Sequence, residues 1–561
     1  MRDRRRLGDI LMDAGKISLA QLNRALETQR KTKKRIGEVL IDEGLLTDAE
    51  IADTLAEQLS LERVDLDNIF VDQEIARSIT KEVAQKHNVI PVFIRDGKLV
   101  VAMSDPLNMF AIDDVSFITQ KRIQPVVATK IQVARAIEVY YSKEATDKAI
   151  EDLKREFTHA APTETIKSEA VMSEDVQTAP AVRLSNSIIN QAIATGASDI
   201  HIEPFETYVA VRYRVDGVLF ESNRIPQNLY SAVSTRIKIM AGMNIAEKRV
   251  PQDGRIEMDI KGRSYDFRVS SLPTIFGEKI VIRVLDRTTF NYTREKLGFT
   301  AHENTIMDKI IRMPHGIVLL TGPTGSGKTT TLYALLNEVN HPDKNIVTVE
   351  DPVEYMLAGI NQVQVNVKAG LTFAAGLRSI LRQDPDIIMI GEIRDEETAQ
   401  IAVRAAITGH LVLSTLHTND APGAITRLVD MGVEPYLVSD AMVGVIAQRL
   451  VRRLCPACKK PVEADENEMM ILQVDKPVTI YKSEGCPSCQ STGYRGRAAI
   501  HEVMLLEKEH RDIITHGGSA EEIRDVAVKK GMVDLFESCK DLVLRGVTSI
   551  QEMVKTVYAR D

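Results

Sequence analysis

The sequence predicts a multidomain α/β protein, and three observations support this fold class. A glycine-rich stretch at 322–329 lies between an apolar run of strand length and an amphipathic run of helix length. The first sixty residues contain an internal repeat, and short strand patterns follow one another between 199 and 285. At 561 residues, three or four domains are expected. We therefore predict an N-terminal helical repeat plus a small α/β module, a middle α+β domain and a C-terminal α/β domain.

Composition and charge limit the class of protein. The chain is 44% hydrophobic and 27% charged, which is typical of a soluble globular protein. It has no run of about 18 apolar residues and no apolar segment at its amino-terminal end. We therefore expect no transmembrane segment, no secretory signal and a cytoplasmic location. The net charge of −8 and the 5% aromatic content argue against direct nucleic-acid binding.

The amino-terminal region, which we assign to a domain at 1–61, contains two copies of one pattern, with counterparts 29 positions apart such as Arg6 and Arg35. Each copy predicts a short helix, a glycine turn and a second amphipathic helix with Ser18 or Thr47 as its N-cap. The stacked apolar faces would form a small bundle. A duplicated structural hairpin explains the leucines, but not why both copies open with Arg-x-Gly and close with Gln.

Two less informative segments follow. Residues 62–145 predict a small α/β module with a hairpin around Asp96 and Gly97, for which an adaptor role is the default. From Ser142 the sequence becomes polar, and we predict a charged helix that passes into a flexible linker at 146–178. Such a linker would allow the N-terminal module to move relative to the rest of the chain.

A middle domain is predicted at 179–290. A helix pattern at Val182–Thr195 precedes several alternating strand patterns, which together indicate an α+β domain. Asp199 and His201 stand on the first of these strands, where metal binding or base catalysis is one interpretation. We favour a hydrogen-bonding role at a strand edge.

The stretch at 322–329, Gly-Pro-Thr-Gly-Ser-Gly-Lys-Thr, matches the phosphate-binding P-loop pattern. Glycines allow the backbone to wrap around a polyphosphate, and amides at the helix N-terminus point at the anion. Lys328 would reach the β- and γ-phosphates of ATP, and the Thr329 hydroxyl would bind Mg²⁺. The predicted nucleotide-binding residues are Gly322, Pro323, Thr324, Gly325, Ser326, Gly327, Lys328, Thr329 and Thr330.

Strand patterns after the P-loop carry acids at their ends, within 345–354 and 386–395, and a further segment at 408–420 contains two histidines. Apolar strands that alternate with helices indicate a mostly parallel sheet with the P-loop at its carboxyl edge. Acids on neighbouring strand ends therefore lie near the γ-phosphate, where a carboxylate holds a metal-bound water or orients the attacking water.

Four of the five cysteines form two C-x-x-C pairs separated by 27 residues. This spacing is typical of a structural Zn²⁺ site with four thiolate ligands. We therefore predict a zinc insert at about 450–497 within a C-terminal domain at 291–561, with Cys539 as a core thiol. The predicted ligands are Cys455, Cys458, Cys486 and Cys489.

Together these motifs resemble those of the secretion ATPases of the type II secretion and type IV pilus assembly class. The resemblance covers essentially the whole chain, and it implies a RecA-like ATPase domain, a PAS-like middle domain and ATP hydrolysis coupled to mechanical work. Assembly ATPases of this class often carry the four-cysteine insert. The matching segments are the Walker A motif at 322–329, the aspartate box near 346–354, the Walker B motif at 386–395 and the histidine box at 410–417.

The resemblance also implies roles for individual residues. Glu350 and Glu392 would be the acids nearest the reacting water and Mg²⁺, and which of them acts as the base stays open. His410 and His417 would sense the nucleotide and couple its state to the sheet. Fixed guanidinium groups would stabilise the growing γ-phosphate charge. These are Arg268 and Arg283, which would close on the phosphates from the middle domain, and Arg378 and Arg382, which would act within or across subunits.

The repeats at 1–61 resemble the domain of pilus and type II secretion ATPases that binds cyclic di-GMP through tandem motifs. By this resemblance the arginines would stack on guanine or pair with phosphate, the glycines would permit close approach, and the glutamines would bond base edges. A purely structural domain is the alternative. The implied binding residues are Arg6, Leu7, Gly8, Leu11, Leu26 and Gln29 in the first copy and Arg35, Ile36, Gly37, Leu40, Leu55 and Gln58 in the second.

From the resemblance we expect a homohexameric Mg-ATPase motor that powers type IV pilus extension and is regulated by cyclic di-GMP. The expected partners are an inner-membrane platform protein and a cytoplasmic accessory protein, so the motor would associate peripherally with the inner membrane. Type II protein secretion is the alternative within the class. The repeats and the cysteine insert disfavour a retraction motor, and the acidic balance disfavours a DNA-transfer ATPase. The complete acid and histidine set disfavours a nucleotide-gated scaffold without turnover.

Overall fold

The computed structural model describes residues 7–32, 35–66, 69, 71, 73–159, 180–260, 262–286, 292–486, 489 and 491–558. Within these residues the strands form a three-stranded, a six-stranded and a seven-stranded sheet and a two-stranded ribbon. Each of the three larger sheets has its own hydrophobic core, which agrees with the predicted mixed α/β class. A helix long and apolar enough to cross a membrane does not occur in this part of the chain.

The amino-terminal repeat folds as two helix pairs, as predicted. Gly15 and Gly44 follow the first helix of each pair with φ of +68° and +69°, a left-handed conformation that disfavours a Cβ atom. The capping box at the second N-terminus is present, because Glu50 N donates to Thr47 Oγ1 at 3.3 Å and Thr47 N donates to Glu50 Oε2 at 2.9 Å. The helices are α1 (Leu7–Asp13), α2 (Leu19–Thr32), α3 (Ile36–Asp42) and α4 (Asp48–Leu59).

The small α/β module follows the repeats. Its elements are α5 (Gln73–Ala76), α6 (Lys81–His87), β1 (Val89–Arg95), β2 (Lys98–Met103), α7 (Met109–Thr119), β3 (Ile123–Val127) and α8 (Lys130–His159). The hairpin predicted around Asp96 and Gly97 is confirmed, since β1 and β2 pair antiparallel up to Arg95 and Lys98. β3 pairs with β2 in parallel.

Helix α8 corrects the predicted linker. It continues to His159, and its second half contributes Ala149, Ile150 and Leu153 to the core of the next domain. The linker prediction at 146–178 is therefore wrong over 146–159, while 160–179 lies outside the described residues. The segment lacked an obvious pattern because its few apolar side chains form one narrow helical stripe among charged residues.

The middle domain is a helix-backed antiparallel sheet, as the α+β prediction requires. Its elements are α9 (Pro180–Thr195), β4 (Asp199–Pro204), β5 (Tyr208–Val215), β6 (Val218–Pro226), α10 (Tyr230–Met240), β7 (Gln252–Ile260), β8 (Arg263–Thr274) and β9 (Gly277–Asp286). The strand order is β6-β5-β4-β9-β8-β7. Strand residues alternate, so that Ile200 and Ile202 face the helices in the core, while Asp199 and His201 point to the other face.

The C-terminal domain is built around the seven-stranded sheet. Its first half contains α11 (Arg294–Leu297), α12 (Ala301–Ile311), β10 (Gly316–Thr321), α13 (Lys328–Val339), β11 (Ile346–Glu350), β12 (Asn361–Gln364), α14 (Phe373–Ile380), β13 (Ile387–Ile390), α15 (Glu396–Ile407) and β14 (Leu411–Leu416). Its second half contains α16 (Ala421–Asp430), α17 (Pro435–Ala441), β15 (Met442–Leu454), β16 (Lys459–Glu463), α18 (Glu466–Leu472), β17 (Thr479–Ser483), β18 (Tyr494–Leu505), α19 (Lys508–Thr515), α20 (Ala520–Lys529), α21 (Leu535–Leu544) and α22 (Ile550–Met553).

The order of this sheet is β12-β11-β13-β14-β10-β15-β18. Only the β15–β18 pair among them is antiparallel, so the predicted mostly parallel sheet is confirmed. β10, β11, β13 and β14 are buried throughout and separate two apolar cores, one on each face. Their carboxyl ends therefore meet at one edge of a rigid layer, where the P-loop begins.

Candidate nucleotide site and cysteine centre

The P-loop connects the carboxyl end of β10 to the first residue of α13. Gly322, Gly325 and Gly327 have φ of +142°, +80° and +87°, so the loop conformation favours residues without a Cβ atom. A Cβ on Gly322 would lie 2.3 Å from the carbonyl oxygen of Gln448. The glycines therefore serve both the turn and the close contact of the loop with β15.

Gln448 on β15 holds the loop against the sheet. Its side chain is buried, and Nε2 donates to the Ser326 carbonyl oxygen at 2.7 Å. Its Oε1 accepts from the Thr331 hydroxyl on α13, also at 2.7 Å. One amide thus fixes the loop and the helix that follows it. Gln448 is not among the predicted site residues, although a glutamine inside the apolar run of a buried strand is a signal, because a buried polar group needs partners.

Lys328 and Ser326 provide polar groups inside the loop. Lys328 Nζ donates to the carbonyl oxygens of Gly322 at 2.7 Å and Pro323 at 3.1 Å. Burial lowers the pKa of Lys328 to about 8, and the Glu392 carboxylate opposes part of that shift. The Ser326 hydroxyl oxygen is buried and has no hydrogen-bond partner within the described residues.

The remaining predicted loop residues lie at the surface. Pro323, Thr324 and Thr329 are exposed and Thr330 is partly exposed. A buried hydroxyl without a partner among the described residues, a lysine ammonium at loop carbonyls and an exposed threonine at a helix N-terminus form a set that fits a polyphosphate with Mg²⁺. The residues present therefore suit the ligand that the motif predicts.

The Walker B acid lies beside the P-loop. Glu392 follows the carboxyl end of β13, and its two oxygens face Arg394 Nη2 and, at 3.4 Å, His417 Nε2. The hydrogen bond to Glu392 raises the pKa of the Arg394 guanidinium. Because the Glu392 charge also reaches Lys328, the structure brings these predicted residues to one side of the sheet edge.

Glu350 is more enclosed than Glu392. It ends β11, is 2% exposed, and its Oε1 accepts from Thr348 Oγ1 at 2.6 Å and from Gln362 Nε2 at 3.1 Å. Its Oε2 accepts from the Tyr333 hydroxyl. The Glu392 side chain, by comparison, is 18% exposed. The two predicted acids therefore stand in different surroundings, Glu350 buried among hydrogen-bond donors and Glu392 partly exposed.

The arginines predicted from the middle domain have different partners. Arg268 on β8 makes two hydrogen bonds to Glu354, Nη2 to Oε2 at 2.6 Å and Nη1 to Oε1 at 3.2 Å. This two-point contact joins the middle domain to the aspartate box. Arg283 on β9 instead donates to Asp199 of its own sheet at 3.1 Å.

The second predicted arginine pair lies at the end of α14. Arg378 pairs with Glu397 on α15, and Arg382 donates to the Arg378 carbonyl oxygen at 2.8 Å. The Arg378 side chain remains half exposed. Both guanidinium groups are therefore bound locally, at the surface of the C-terminal domain.

The two predicted histidines lie at opposite ends of strand β14. His417 follows the last residue of β14, whereas His410 precedes the first, and the His410 carbonyl oxygen accepts from Gly316 N at 3.0 Å. His410 Nδ1 lies 2.9 Å from the Ala405 carbonyl oxygen. The strand between them separates the histidines by about 20 Å. β14 therefore carries His410 away from the P-loop edge, so the structure does not bring the two predicted histidines together.

The four predicted zinc ligands converge between the end of β15 and the start of β18. Cys455 and Cys486 Sγ are 3.8 Å apart, Cys458 and Cys489 Sγ 3.9 Å, and all four sulfur atoms lie within 4.8 Å of one another. These distances exceed a disulfide bond and match the sulfur–sulfur edge of about 3.8 Å that a tetrahedral Zn²⁺ with roughly 2.3 Å bonds requires. The residues therefore fit a four-thiolate metal site. Cys539 is buried, as predicted.

The glycines of the amino-terminal repeats are used partly for helix packing. A Cβ on Gly8 would lie 2.8 Å from Leu22 Cδ1, and one on Gly37 would lie 3.1 Å from Ile51 Cγ2. The glycines therefore permit the close approach of the second helix of each unit. The lack of a side chain at these positions does not by itself indicate a ligand.

Arg35 is the repeat arginine that the structure describes, and its guanidinium pairs with Asp105 of the small module. Arg6 lies outside the described residues. The other predicted residues divide by burial. Leu11, Gly37 and Leu40 are buried, Leu26 is exposed, and Leu7, Gly8, Gln29, Ile36, Leu55 and Gln58 are partly exposed.

A parallel sheet with a P-loop at its carboxyl edge, the loop lysine beside a strand-end acid, and a buried amide behind the loop define a P-loop nucleotide hydrolase. The family model described as Type II/IV secretion system protein matches residues 174–555, and an MshEN domain model matches 59–147. The chain belongs to the Type II/IV secretion system protein family, and it is an ATPase of that family.

Two relatives and one solved structure illustrate the similarity. The chain is 46% identical to the type IV pilus assembly ATPase PilB of Myxococcus xanthus over 560 residues, which cover 98% of each protein. It is 49% identical to the type II secretion system protein E of Pseudomonas aeruginosa over 424 residues, 75% of this chain and 84% of the relative. The ATPase DotB of Legionella pneumophila superposes with a TM-score of 0.51 at 22% identity, over 71% of this chain and 98% of DotB, which shows a shared fold.

Proposed function

We propose that this chain is the Mg²⁺-dependent ATPase motor of type IV pilus assembly. The observation that carries the proposal is the meeting of Lys328, Glu392 and His417 at one sheet edge, with Arg268 bound to the aspartate box from a separate domain. The similarity to the PilB pilus assembly ATPase along nearly the full length of both chains supports pilus assembly as the process.

In the proposed reaction, the loop amides and Lys328 bind the β- and γ-phosphates, and the Thr329 hydroxyl binds Mg²⁺. The metal, when bound, neutralises charge on the phosphates. Glu392, whose charge reaches Lys328, would hold a water beside the Mg²⁺. Glu350, whose carboxylate direction is fixed by three donors, orients the attacking water. His417 would transmit a change in the position of Glu392 to β14, because its ring lies 3.4 Å from that carboxylate. His410 would respond at the other end of the same strand.

We propose a homohexamer in which the arginines act on the phosphates within or across subunits. Arg268 would exchange Glu354 for the γ-phosphate when the middle domain closes on the nucleotide. Arg283, which pairs with Arg268 on the neighbouring strand, would move toward the phosphates with it. Arg378 and Arg382 would act on a neighbouring subunit, since both lie at the domain surface. Closure between the middle and C-terminal domains is then the mechanical step.

The domain boundaries at 1–61, 62–145, 179–290 and 291–561 are also part of the proposal, with a PAS-like middle domain and a RecA-like C-terminal domain. The MshEN domain match at 59–147 supports the second unit. The insert at about 450–497 would hold a structural Zn²⁺ on its four cysteines. Four thiolates would complete a tetrahedral coordination, so this metal would have a structural and not a catalytic role.

Regulation by cyclic di-GMP is proposed for the tandem repeats. The ligand carries guanine faces and phosphates that suit the two repeat arginines. Arg35 is exposed enough to exchange Asp105 for a phosphate, because its side chain is 64% exposed. Titration of the full chain with cyclic di-GMP tests this site, and Arg35→Ala should weaken binding strongly. Equal binding by the variant would contradict the assignment.

The proposed partners are an inner-membrane platform protein and a cytoplasmic accessory protein, with the motor in the cytoplasm at the inner-membrane face. Type II protein secretion is the second candidate process, because a type II secretion protein is among the relatives of this chain. Deletion of the gene followed by assays for surface pili and for secreted enzymes separates the two. Loss of secretion with normal pili would overturn the pilus assignment.

The test of the site is ATP turnover by the purified protein. Lys328→Ala and Glu392→Gln should abolish hydrolysis, while leaving the zinc content and the unfolding temperature close to those of the parent. Arg545→Ala is a surface control that should retain the parent rate, because Arg545 is exposed and its ion pair is with Asp541, one turn away on the same helix. Parent-like hydrolysis by Lys328→Ala would refute the proposed function.

A further inference from the structure

A tyrosine on the P-loop helix reaches the acid of the aspartate box. Tyr333 lies on α13, which begins at Lys328, and it is fully buried. Its hydroxyl donates to Glu350 Oε2 and accepts from the backbone N–H of Glu354 at 3.2 Å. The hydroxyl therefore uses its donor and an acceptor position at the same time.

The surroundings keep this hydroxyl in its donating form. Burial, reinforced by the Glu350 carboxylate, raises the pKa of Tyr333 far above its ordinary value. The phenol consequently remains protonated across the physiological pH range. A protonated phenol beside a buried carboxylate is a directional donor, which restricts the rotation of that carboxylate.

The same hydroxyl is one step in a chain of contacts between domains. The backbone N–H of Glu354 donates to the Tyr333 hydroxyl, and the carboxylate of Glu354 binds Arg268 of the middle domain. Tyr333 therefore connects the P-loop helix, the acid at the end of β11 and the segment that receives the middle-domain arginine. A shift of α13 would change the position of both Glu350 and Glu354.

We infer that Tyr333 is a positioning residue for ATP hydrolysis, which acts through Glu350 by holding its carboxylate toward the attacking water. This inference rests on the proposed role of Glu350. Tyr333 is not a catalytic residue, because its hydroxyl is bound to protein groups on both sides.

Tyr333→Phe removes the hydroxyl and little else. Displacement of a reacting group by about 1 Å costs up to roughly a hundredfold in rate, so kcat should fall roughly ten- to a hundredfold with little change in KM. Tyr213→Phe is the matched control, because Tyr213 is equally buried and its hydroxyl donates to the Ile188 carbonyl oxygen at 3.0 Å, inside the middle domain. Both variants should lose some stability, but Tyr213→Phe should retain kcat when both are assayed well below their unfolding temperatures.

A double-mutant cycle with Glu350→Gln separates this inference from the proposed function. If Tyr333 acts through Glu350, adding Tyr333→Phe to Glu350→Gln should lower kcat by less than about twofold further. Full multiplication of the two losses, or a parent-like kcat for Tyr333→Phe alone, would overturn the inference and leave the role of Glu350 intact. A parent-like kcat for Glu350→Gln would instead overturn the proposed role of that acid.

Discussion

Replacement of Gln448 by methionine tests whether one buried amide sets the affinity of the P-loop for nucleotide. The side chains have similar length, but methionine has no donor for the Ser326 carbonyl oxygen, and its sulfur is only a weak acceptor for the Thr331 hydroxyl. Ser326 and Thr331 are both buried, so these groups would be left without their partner away from solvent. The perturbation is therefore a loss of two hydrogen bonds at nearly constant volume.

The magnitude follows from the cost of unpaired buried groups. Each costs about 1–3 kcal/mol, so the free energy of unfolding of the domain should fall by roughly 2–6 kcal/mol. The bond to Ser326 is the one that holds the loop. The loss of this bond should destabilise the loop conformation seen here, relative to other loop conformations, by about 1–3 kcal/mol. If only this conformation binds nucleotide, binding should weaken roughly five- to 150-fold. Calorimetric titration with a non-hydrolysable ATP analogue measures this change directly.

Gln191 offers a matched control in the middle domain. It is also buried, donates to Ser222 Oγ at 3.0 Å and accepts from the Tyr213 hydroxyl at 3.3 Å. Gln191→Met should therefore destabilise its own domain by a similar amount without weakening nucleotide binding. Equal binding by Gln448→Met and the parent, or equal weakening in both variants, would refute the argument that Gln448 organises the loop.

Three further predictions concern the other charged and metal-binding groups. Arg268→Ala should lower kcat roughly tenfold or more, as measured by steady-state kinetics of ATP hydrolysis. Arg268→Lys should restore little of the lost kcat, because lysine cannot make the two-point contact that Arg268 makes with Glu354. Cys458→Ser should reduce the bound zinc and lower the unfolding temperature, whereas Cys539→Ser should keep one zinc per chain by metal analysis. The pKa of Lys328 is lowered to about 8 from its ordinary value of 10.5, so the ammonium loses its charge as the pH rises through about 8. The affinity for ATP should therefore fall between about pH 7 and 9. An affinity that does not change with pH in binding titrations would contradict this prediction.

The lowered pKa of Lys328 also affects folding, but with the opposite sign. Between about pH 8 and 10.5 the unfolded chain binds a proton at Lys328 that the folded chain does not, so this group makes the protein more stable as the pH rises through that window. Nucleotide binding has the opposite dependence, because phosphate requires the charged ammonium. The pH of tightest binding and the pH at which Lys328 least opposes folding therefore differ.

Short-range patterns predicted the fold and much of the site. Strand, glycine loop and helix at the P-loop, the capping box of Thr47 and Glu50, and the paired cysteines each lie within a few residues of one another in sequence, and each is present in the structure. The helix over 146–159 was predicted as linker because its narrow apolar stripe is stabilised by packing against α9, which is distant in sequence. Tertiary packing decides such polar segments.

Long-range contacts account for the rest. Gln448 and Ser326 are far apart in the chain, and only the pairing of β15 with β10 brings them together. His410 and His417 show the reverse, since residues of one short motif are separated by the length of a strand. Nearness in sequence therefore predicts nearness in space for a loop or a cap, but not across an extended strand.

The cations of the site are already bound to protein acceptors, which bears on how the motor would work. Arg268 binds Glu354, Arg394 binds Glu392, and Lys328 binds loop carbonyl oxygens, so each of these cations already has a protein acceptor. A triphosphate must exchange the partners of any cation that it contacts, and each exchange frees an acid or a carbonyl group. Because the Arg268 contact spans two domains, that exchange changes a domain interface as well as a binding site. Under the proposed role of Arg268, nucleotide binding and domain closure would be coupled through the same guanidinium group, which is the property that a mechanical ATPase requires.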